Sequence, residues 1–163
     1  MDYFEHHPGI CVEALLADRM CPAMDAAHLK NIQALLIGED WGIVKEMHSD
    51  CFILAGFLTL VPTYILECHK GKFINIHPSL LPDFGGKGFY GLHIHRAVVQ
   101  SGKSITGLTI HHAGPEYDTG TILHQATMQI PQGATPEQLM MLVQQKEKEC
   151  VPSFIENHIL SNN

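Results

Sequence analysis

The feature that most constrains this chain is the regular alternation of short apolar segments with segments of helical spacing in its first half. Apolar runs of strand length predict four strands, at residues 10–17, 32–37, 51–55 and 73–77. Helical patterns lie between them, at residues 22–30, 39–48 and 62–68. Strands that alternate with helices are joined by right-handed crossovers in a mainly parallel sheet. The sequence therefore predicts an α/β protein with helices on both faces of the sheet.

The second half of the chain has a different pattern. A helix is predicted at residues 93–101, followed by two longer strands at residues 105–113 and 121–130 that pair as an antiparallel C-terminal portion. Thr135, Pro136 and Gln138 are typical of a helix start, and Pro152 is expected to bend or break the last helix. No linker or internal repeat divides the chain, so residues 1–163 are predicted to form a single domain.

The beginning of the chain does not match the opening of a doubly wound nucleotide-binding fold, which starts with a strand and a glycine-rich turn. Tyr3 and Phe4 look like the end of the helix that follows such a turn. The first strand and its loop are therefore missing from the pattern. We expect the true start to lie upstream of Met1, because a protein that had lost a central strand would expose two strand edges.

Composition excludes several classes of function. A net charge of −7 argues against a nucleic-acid partner, because phosphate contacts need a basic face. The five cysteines are scattered and never spaced Cys-x-x-Cys, which is typical of reduced thiols in a cytoplasmic protein. No signal peptide is visible, and no apolar run approaches the length needed to cross a membrane. Histidines are numerous, but none has metal-ligand spacing, so no metal is expected.

The end of the predicted strand at residues 73–77 carries polar residues of the kind that take part in catalysis. Residues 73–77 alternate, so Asn75 and His77 lie on one face, and Pro78 then ends the strand. The carboxyl ends of strands are where ligands bind in open α/β sheets. An amide and an imidazole aimed together could hold the oxyanion of an acyl-transfer intermediate. The alternative is a satisfied polar pair at a strand end.

Three motifs in order carry a family resemblance. Asn-Ile-His-Pro-Ser-Leu-Leu-Pro (residues 75–82), Thr-Gly-Leu-Thr-Ile-His-His (residues 106–112) and Asp118-Thr119-Gly120 resemble the formyltransferases that use 10-formyltetrahydrofolate, and the likeness covers nearly the whole chain. It implies a Rossmann-like sheet, small-molecule partners, and transfer of a formyl group from 10-formyltetrahydrofolate to the amine of glycinamide ribonucleotide in purine biosynthesis. It also allows a homodimer. Alternatives are hydrolysis of the same folate, formylation of methionyl-tRNA, or a folate-binding remnant without catalysis.

The resemblance also implies roles for individual residues. Asn75 would donate to the formyl oxygen, a protonated His77 would stabilise the oxyanion, and Asp118 would favour that protonated form. Two walls of a pterin pocket would come from Leu58, Thr59, Leu60 and Val61 and from Gly114, Pro115, Glu116, Tyr117 and Asp118. Contacts to the ribose of the substrate would come from Gln144, Gln145, Lys146 and Glu147. The alternative for Glu147 is a carboxylate at the edge of a helix, without a role in binding.

Two further expectations concern the loop after the fourth strand. The resemblance implies a cis peptide bond between Leu81 and Pro82. Residues 83–90, which hold three glycines and Lys87, match neither a P-loop nor a Rossmann turn. They could form an anion cradle, and we expect instead a mobile loop over the active site.

Overall fold

The computed structural model describes residues 7–161, so the prediction for Tyr3 and Phe4 lies outside the described residues. Two compact units are present, residues 7–50 with 152–161 and residues 51–151. The elements, in chain order, are β1 (Ala14–Ala17), α1 (Pro22–Leu29), β2 (Gln33–Leu36), α2 (Gly42–Glu46), β3 (Phe52–Ala55), α3 (Thr63–Cys68), β4 (Phe73–His77), α4 (Leu92–Gln100), β5 (Ile105–His112), β6 (Ile122–Gln129) and α5 (Pro136–Ser161). Within residues 7–161, no helix combines the length and apolar character needed to cross a bilayer.

The first unit holds a parallel pair of strands with α1 as the crossover. β1 and β2 pair from Ala14 opposite Gln33 to Ala17 opposite Leu36. The prediction of a strand from residue 10 was too long, because β2 offers only these four partners. The helix predicted at residues 39–48 is also shorter. The side chain of Asp40 accepts a hydrogen bond from Gly42 N at 2.9 Å, which closes a turn before α2 begins.

The second unit holds a four-stranded sheet in the order β3-β4-β5-β6. β3 runs parallel to β4, whereas β4–β5 and β5–β6 are antiparallel pairs, as predicted for the two long strands. The register places Asn75 opposite His111 and His77 opposite Thr109. Directly opposed residues project to the same face of a sheet, so this register brings the polar side chains of β4 and β5 together.

A buried cluster packs α4 against α5 in the same unit. Ile94 and Val98 from α4 meet Leu139 and Val143 from α5, and all four are almost completely buried. The predicted helix start is confirmed, because Gln138 N donates to Thr135 Oγ1 at 3.2 Å and Gln138 Oε1 accepts from Thr135 N at 2.9 Å. This reciprocal capping satisfies two N–H groups that a helix end otherwise leaves unpaired. Pro152 lies inside α5 and does not break it.

A fully buried hydroxyl holds the loop that follows β4. Thr109 Oγ1 donates to Ser79 O at 2.7 Å and accepts hydrogen bonds from Leu81 N and Gln125 Nε2, both at 2.9 Å. The bond between Leu81 and Pro82 is cis, as the resemblance implied. The threonine therefore joins the loop leaving β4 to the central strand β5 and to β6.

Replacing Thr109 by valine is expected to destabilise the protein by about 2 kcal/mol or more, because each buried polar group left unpaired costs about 1–3 kcal/mol. Thermal unfolding should shift down by roughly 4 °C or more. Thr106→Val is a matched control, because the buried Oγ1 of Thr106 has no hydrogen-bond partner among the described residues. That substitution should be neutral or stabilising. Equal losses for the two variants would contradict this account of Thr109.

Candidate active site

A cavity of about 950 Å³ opens at the carboxyl ends of β3 and β4. Its walls come from the second unit alone, and they include the segments that follow β3 and β4, the start of α4, the end of β5 with the loop after it, and one side of α5. This is the position at which open α/β sheets bind ligands. Asn75, His77, His95, His111 and Asp118 are among the polar residues that line it.

Asn75, His77 and Asp118 converge, as the sequence predicted. Asp118 Oδ1 lies 3.3 Å from Asn75 Nδ2 and 3.4 Å from His77 Nδ1. Asp118 has a left-handed backbone with φ 58°, so the loop between β5 and β6 turns sharply where its carboxylate enters the site. The three side chains surround a space that can accept a small acyl group.

His111 adds a fourth polar group to this cluster. Its Nδ1 lies 2.8 Å from the carbonyl oxygen of His112, and its Nε2 lies 3.0 Å from Asn75 Nδ2 and 3.6 Å from Asp118 Oδ1. Since a carbonyl oxygen only accepts, Nδ1 carries the proton. In the neutral ring Nε2 is then an acceptor for the Asn75 amide, which fixes the amide with its N–H groups toward Asp118 and His111.

The electrostatics of the site favour an ionised Asp118. Burial alone would raise its pKa, but the hydrogen bonds from His77 and from Gly86 N at 2.8 Å, with the charge of His77, hold the pKa of Asp118 well below its usual range. The pKa of His95, which is also buried in the cavity wall, is lowered by desolvation and by the nearby charge of His77. An ionised Asp118 and a neutral His95 therefore lie near His77.

Both predicted pterin walls line the cavity. Leu58, Thr59, Leu60 and Val61 belong to the segment after β3, and Gly114, Glu116, Tyr117 and Asp118 belong to the segment after β5. Pro115 lies between these residues in sequence but does not line the cavity. The hydroxyl of Tyr117 donates to Leu58 O at 3.2 Å and so joins the two walls.

The structure divides the predicted substrate residues of α5 into two groups. Gln144 and Glu147 line the cavity, and burial raises the pKa of the Glu147 carboxyl. Gln145 instead donates to Glu149 at 3.1 Å, and Lys146 lies 3.9 Å from the same glutamate. Neither of these two side chains is part of the cavity wall. The spacing i, i+3 places Gln144 and Glu147 on one face of the helix.

Sequence reasoning missed His95, Gly86 N and Lys148. His95 lines the cavity and is 2% exposed, and its Nδ1 has no hydrogen-bond partner among the described residues. The sequence signal that could have indicated His95 is its place near the start of α4, about one turn after Gly91 at the N-cap. The backbone N–H of Gly86 left no signal in the sequence. In the described part of the chain, no group of three or more His, Cys, Asp or Glu side chains is arranged to hold a metal ion.

The mixed sheet carries an amide, an imidazole and a carboxylate near the ends of its strands. This arrangement is typical of a class of α/β proteins that can stabilise an oxyanion during acyl transfer. The family model described as "Formyl transferase" matches residues 22–155, and the chain belongs to this formyltransferase family.

The relatives it resembles agree with that assignment. The chain is 42% identical over 105 residues to a chloroplastic phosphoribosylglycinamide formyltransferase of Arabidopsis thaliana, a match that covers 64% of this chain and 36% of the relative. The chain thus spans about a third of the length of this curated relative.

Solved structures match over more of their length. A phosphoribosylglycinamide formyltransferase from Anaplasma phagocytophilum has a TM-score of 0.86 at 24% identity, covering 98% of this chain and 78% of that one, and it supports the fold. A glycinamide ribonucleotide transformylase from Geobacillus kaustophilus has a TM-score of 0.75 at 30% identity, covering 86% and 79%. The Rossmann-like formyltransferase fold implied by the sequence is therefore confirmed.

Proposed function

We propose that this chain transfers a formyl group from 10-formyltetrahydrofolate to the primary amine of glycinamide ribonucleotide, a reaction of purine biosynthesis. The observation that carries the proposal is the convergence of Asn75, His77 and Asp118 in the wall of the cavity, with Asp118 Oδ1 within 3.4 Å of both partners. The names of the relatives support the acceptor, the resemblance of the sequence motifs supports the folate donor, and the two segments that line the cavity offer a place for the folate.

The chemistry follows from what these side chains can donate. The amine attacks the formyl carbon, a C–N bond forms, and the carbonyl electrons move to oxygen. Asn75 has two N–H groups, so it can exchange its bond to His111 for one to that oxyanion while it keeps its bond to Asp118. His77, when protonated, adds a positive charge beside the oxyanion. The intermediate then collapses, the bond to N10 of the folate breaks, and the proton lost by the amine is delivered to N10.

The folate and the acceptor have separate supports in this proposal. The pterin lies between the wall of Leu58 to Val61 and the wall after β5, whose backbone groups can pair with the ring edge. The ribose hydroxyls of the acceptor meet Gln144 and Glu147 on α5. No metal ion is required, because an amine is already a competent nucleophile and the oxyanion is stabilised by side chains.

The test is to follow the loss of 10-formyltetrahydrofolate with and without glycinamide ribonucleotide. We expect turnover that depends on the ribonucleotide, and a fall of about 10²- to 10³-fold in Asn75→Ala, the loss typical when one oxyanion donor is removed. Equal loss of the folate without the ribonucleotide would indicate hydrolysis instead. Tight folate binding without any turnover would indicate a non-catalytic remnant.

Two neighbouring glutamines provide a matched control for the acceptor site. Gln144→Ala is expected to raise KM for the ribonucleotide by about tenfold, because one hydrogen bond is worth about 0.5–1.5 kcal/mol and more where it leaves a partner unpaired. Gln145→Ala should leave KM within twofold, because that side chain bonds Glu149 outside the cavity. Equal effects of the two variants would place the acceptor elsewhere.

A further inference from the structure

The loop after β4 contacts both members of the His77–Asp118 pair. The carbonyl oxygen of Phe84 lies 2.9 Å from His77 Nε2, and the backbone N–H of Gly86 donates to Asp118 Oδ2 at 2.8 Å. On its other side, His77 Nδ1 faces Asp118 Oδ1 at 3.4 Å. Both ring nitrogens of His77 therefore face oxygen atoms that can only accept.

Those two acceptors determine which form of His77 is satisfied. A neutral imidazole has one N–H, so it can donate to the carbonyl or to the carboxylate but not to both. The doubly protonated ring donates to both at once. We infer that Phe84 is a positioning residue, whose backbone carbonyl aligns His77 and favours its protonated form for the reaction proposed above, on which this inference rests.

The backbone at Phe84 is held in an uncommon conformation by its surroundings. Phe84 has φ 53°, which is costly for a residue with a large side chain and is often found where function requires it. Ser79 Oγ donates to the carbonyl oxygens of Asp83 at 3.1 Å and of Phe84 at 3.4 Å. These hydrogen bonds from Ser79, which follows β4, hold the Phe84 carbonyl in its direction.

The ring of Phe84 anchors the loop in the core. It packs against the buried cluster of α4 and α5, meets the ring of Phe89 edge-on at 6.4 Å, and lies 5.5 Å from Lys103 Nζ. Lys103 also pairs with the Asp83 carboxylate. The first half of this loop is thus held by contacts at Asp83 and at Phe84. Anchoring of the ring is what keeps the carbonyl at His77.

Several other ionisable groups share this environment. Around His77 they are Asp118 and His111 from the sheet side, His95 from α4, and, lining the same cavity, Lys87, Glu116, Tyr117, Glu147 and Lys148. His95 is neutral, because desolvation and the charge of His77 both oppose its protonation. Among the described residues, Asp118 is the one carboxylate in direct contact with the His77 ring, at Nδ1. The Phe84 carbonyl is the acceptor at the other ring nitrogen, Nε2.

Phe84→Ala is the variant that tests the inference, because it removes the anchor and frees the carbonyl from His77. The readouts are the pH profile of kcat and histidine-ring NMR, which reports directly how many ring nitrogens carry protons. We expect His77 to lose its second proton at a lower pH in Phe84→Ala than in the native chain, because the charged ring then lacks one of its two hydrogen-bond acceptors. The basic limb of kcat should move with it, whereas KM for 10-formyltetrahydrofolate should change less than kcat.

Two controls separate positioning from general loss of packing. Phe89→Ala removes a second ring that packs on the same cluster, but the carbonyl of Phe89 does not contact His77. It should leave the titration of His77 unchanged, and Phe84→Leu, which keeps an apolar anchor, should restore most of the native titration.

The outcomes distinguish this inference from the proposed function. Formyl transfer with an unshifted His77 titration in Phe84→Ala, or the same shift in Phe89→Ala, would overturn the role of Phe84 and leave the proposed reaction standing. A shift confined to Phe84→Ala in a chain that shows no formyl transfer would support the positioning of His77 and overturn the proposed reaction.

Discussion

Replacing Asp118 by asparagine is expected to lower kcat for formyl transfer by about 10²- to 10⁴-fold, the range that a positioned acid–base group contributes. The carboxylate accepts from Asn75, faces the His77 ring and accepts from Gly86 N, so it orders three groups of the site at once. An amide of the same shape has no charge, and one end of it would present N–H groups to these donors. The measurement is kcat and KM for both substrates, with most of the loss expected in kcat.

The same substitution should change how stability depends on pH. The pKa of Asp118 is held below its unfolded value, so the ionised carboxylate stabilises the native state above about pH 4, and this contribution is lost as the pH falls through the native pKa. Asp118→Asn should therefore be less stable than the native chain at neutral pH, and the difference should close in acid. Denaturation measured from about pH 7 to about pH 2 checks this, because the loss lies below the unfolded pKa.

Asp83→Asn is the matched control for that experiment. Asp83 also pairs with a cation, but the Asp83–Lys103 pair is about half exposed. Surface pairs contribute about 0–1 kcal/mol, so its removal should change stability little at any pH. A curve for Asp118→Asn that runs parallel to the native curve down to low pH would show that the carboxylate is not ionised in the native site.

The parts of the fold that could be predicted are those with local signals. β4 was predicted with the observed bounds, because alternation defines Phe73–His77 and Pro78 ends the strand. Thr135 and Gln138 likewise predicted the start of α5. β1 and α2 were predicted too long. The length of the partner strand β2 limits β1, and the turn at Asp40 limits α2. The periodicity of apolar residues contains neither kind of information.

The candidate site divides in the same way. Strand geometry alone placed Asn75 beside His77, whereas Asp118, 41 or more residues away in sequence from both, was reached only through the family motif. Helical periodicity separates Gln144 and Glu147 from Gln145 and Lys146, although the prediction had named all four. The Phe84 carbonyl and the Gly86 N–H are backbone groups that every residue type carries, so no pattern of side chains could have revealed them.

Gly107→Ala is expected to cost about 4 kcal/mol or more, the size of effect that marks a defect in the core. Gly107 lies in β5 opposite Thr127 of β6. A Cβ there would overlap the carbonyl oxygen of Ala126 and lie 2.9 Å from the carbonyl carbon of the same residue and 3.0 Å from Leu80 Cδ2. The first two atoms are backbone, so the strand can yield only by opening the ladder between β5 and β6.

Gly9→Ala separates this steric effect from the general effect of adding a methyl group. Its Cβ would meet nothing nearer than Leu160 Cδ2 at 3.4 Å, an ordinary contact, and the same substitution at a compatible site changes stability by about 0.4–1 kcal/mol in the favourable direction. Urea denaturation of the two variants should therefore move the midpoint in opposite directions. A Gly107→Ala variant as stable as Gly9→Ala would mean that β5 and β6 do not approach this closely. Because β5 also carries Thr109 and His111, opening the ladder should weaken formyl transfer even in the molecules that remain folded.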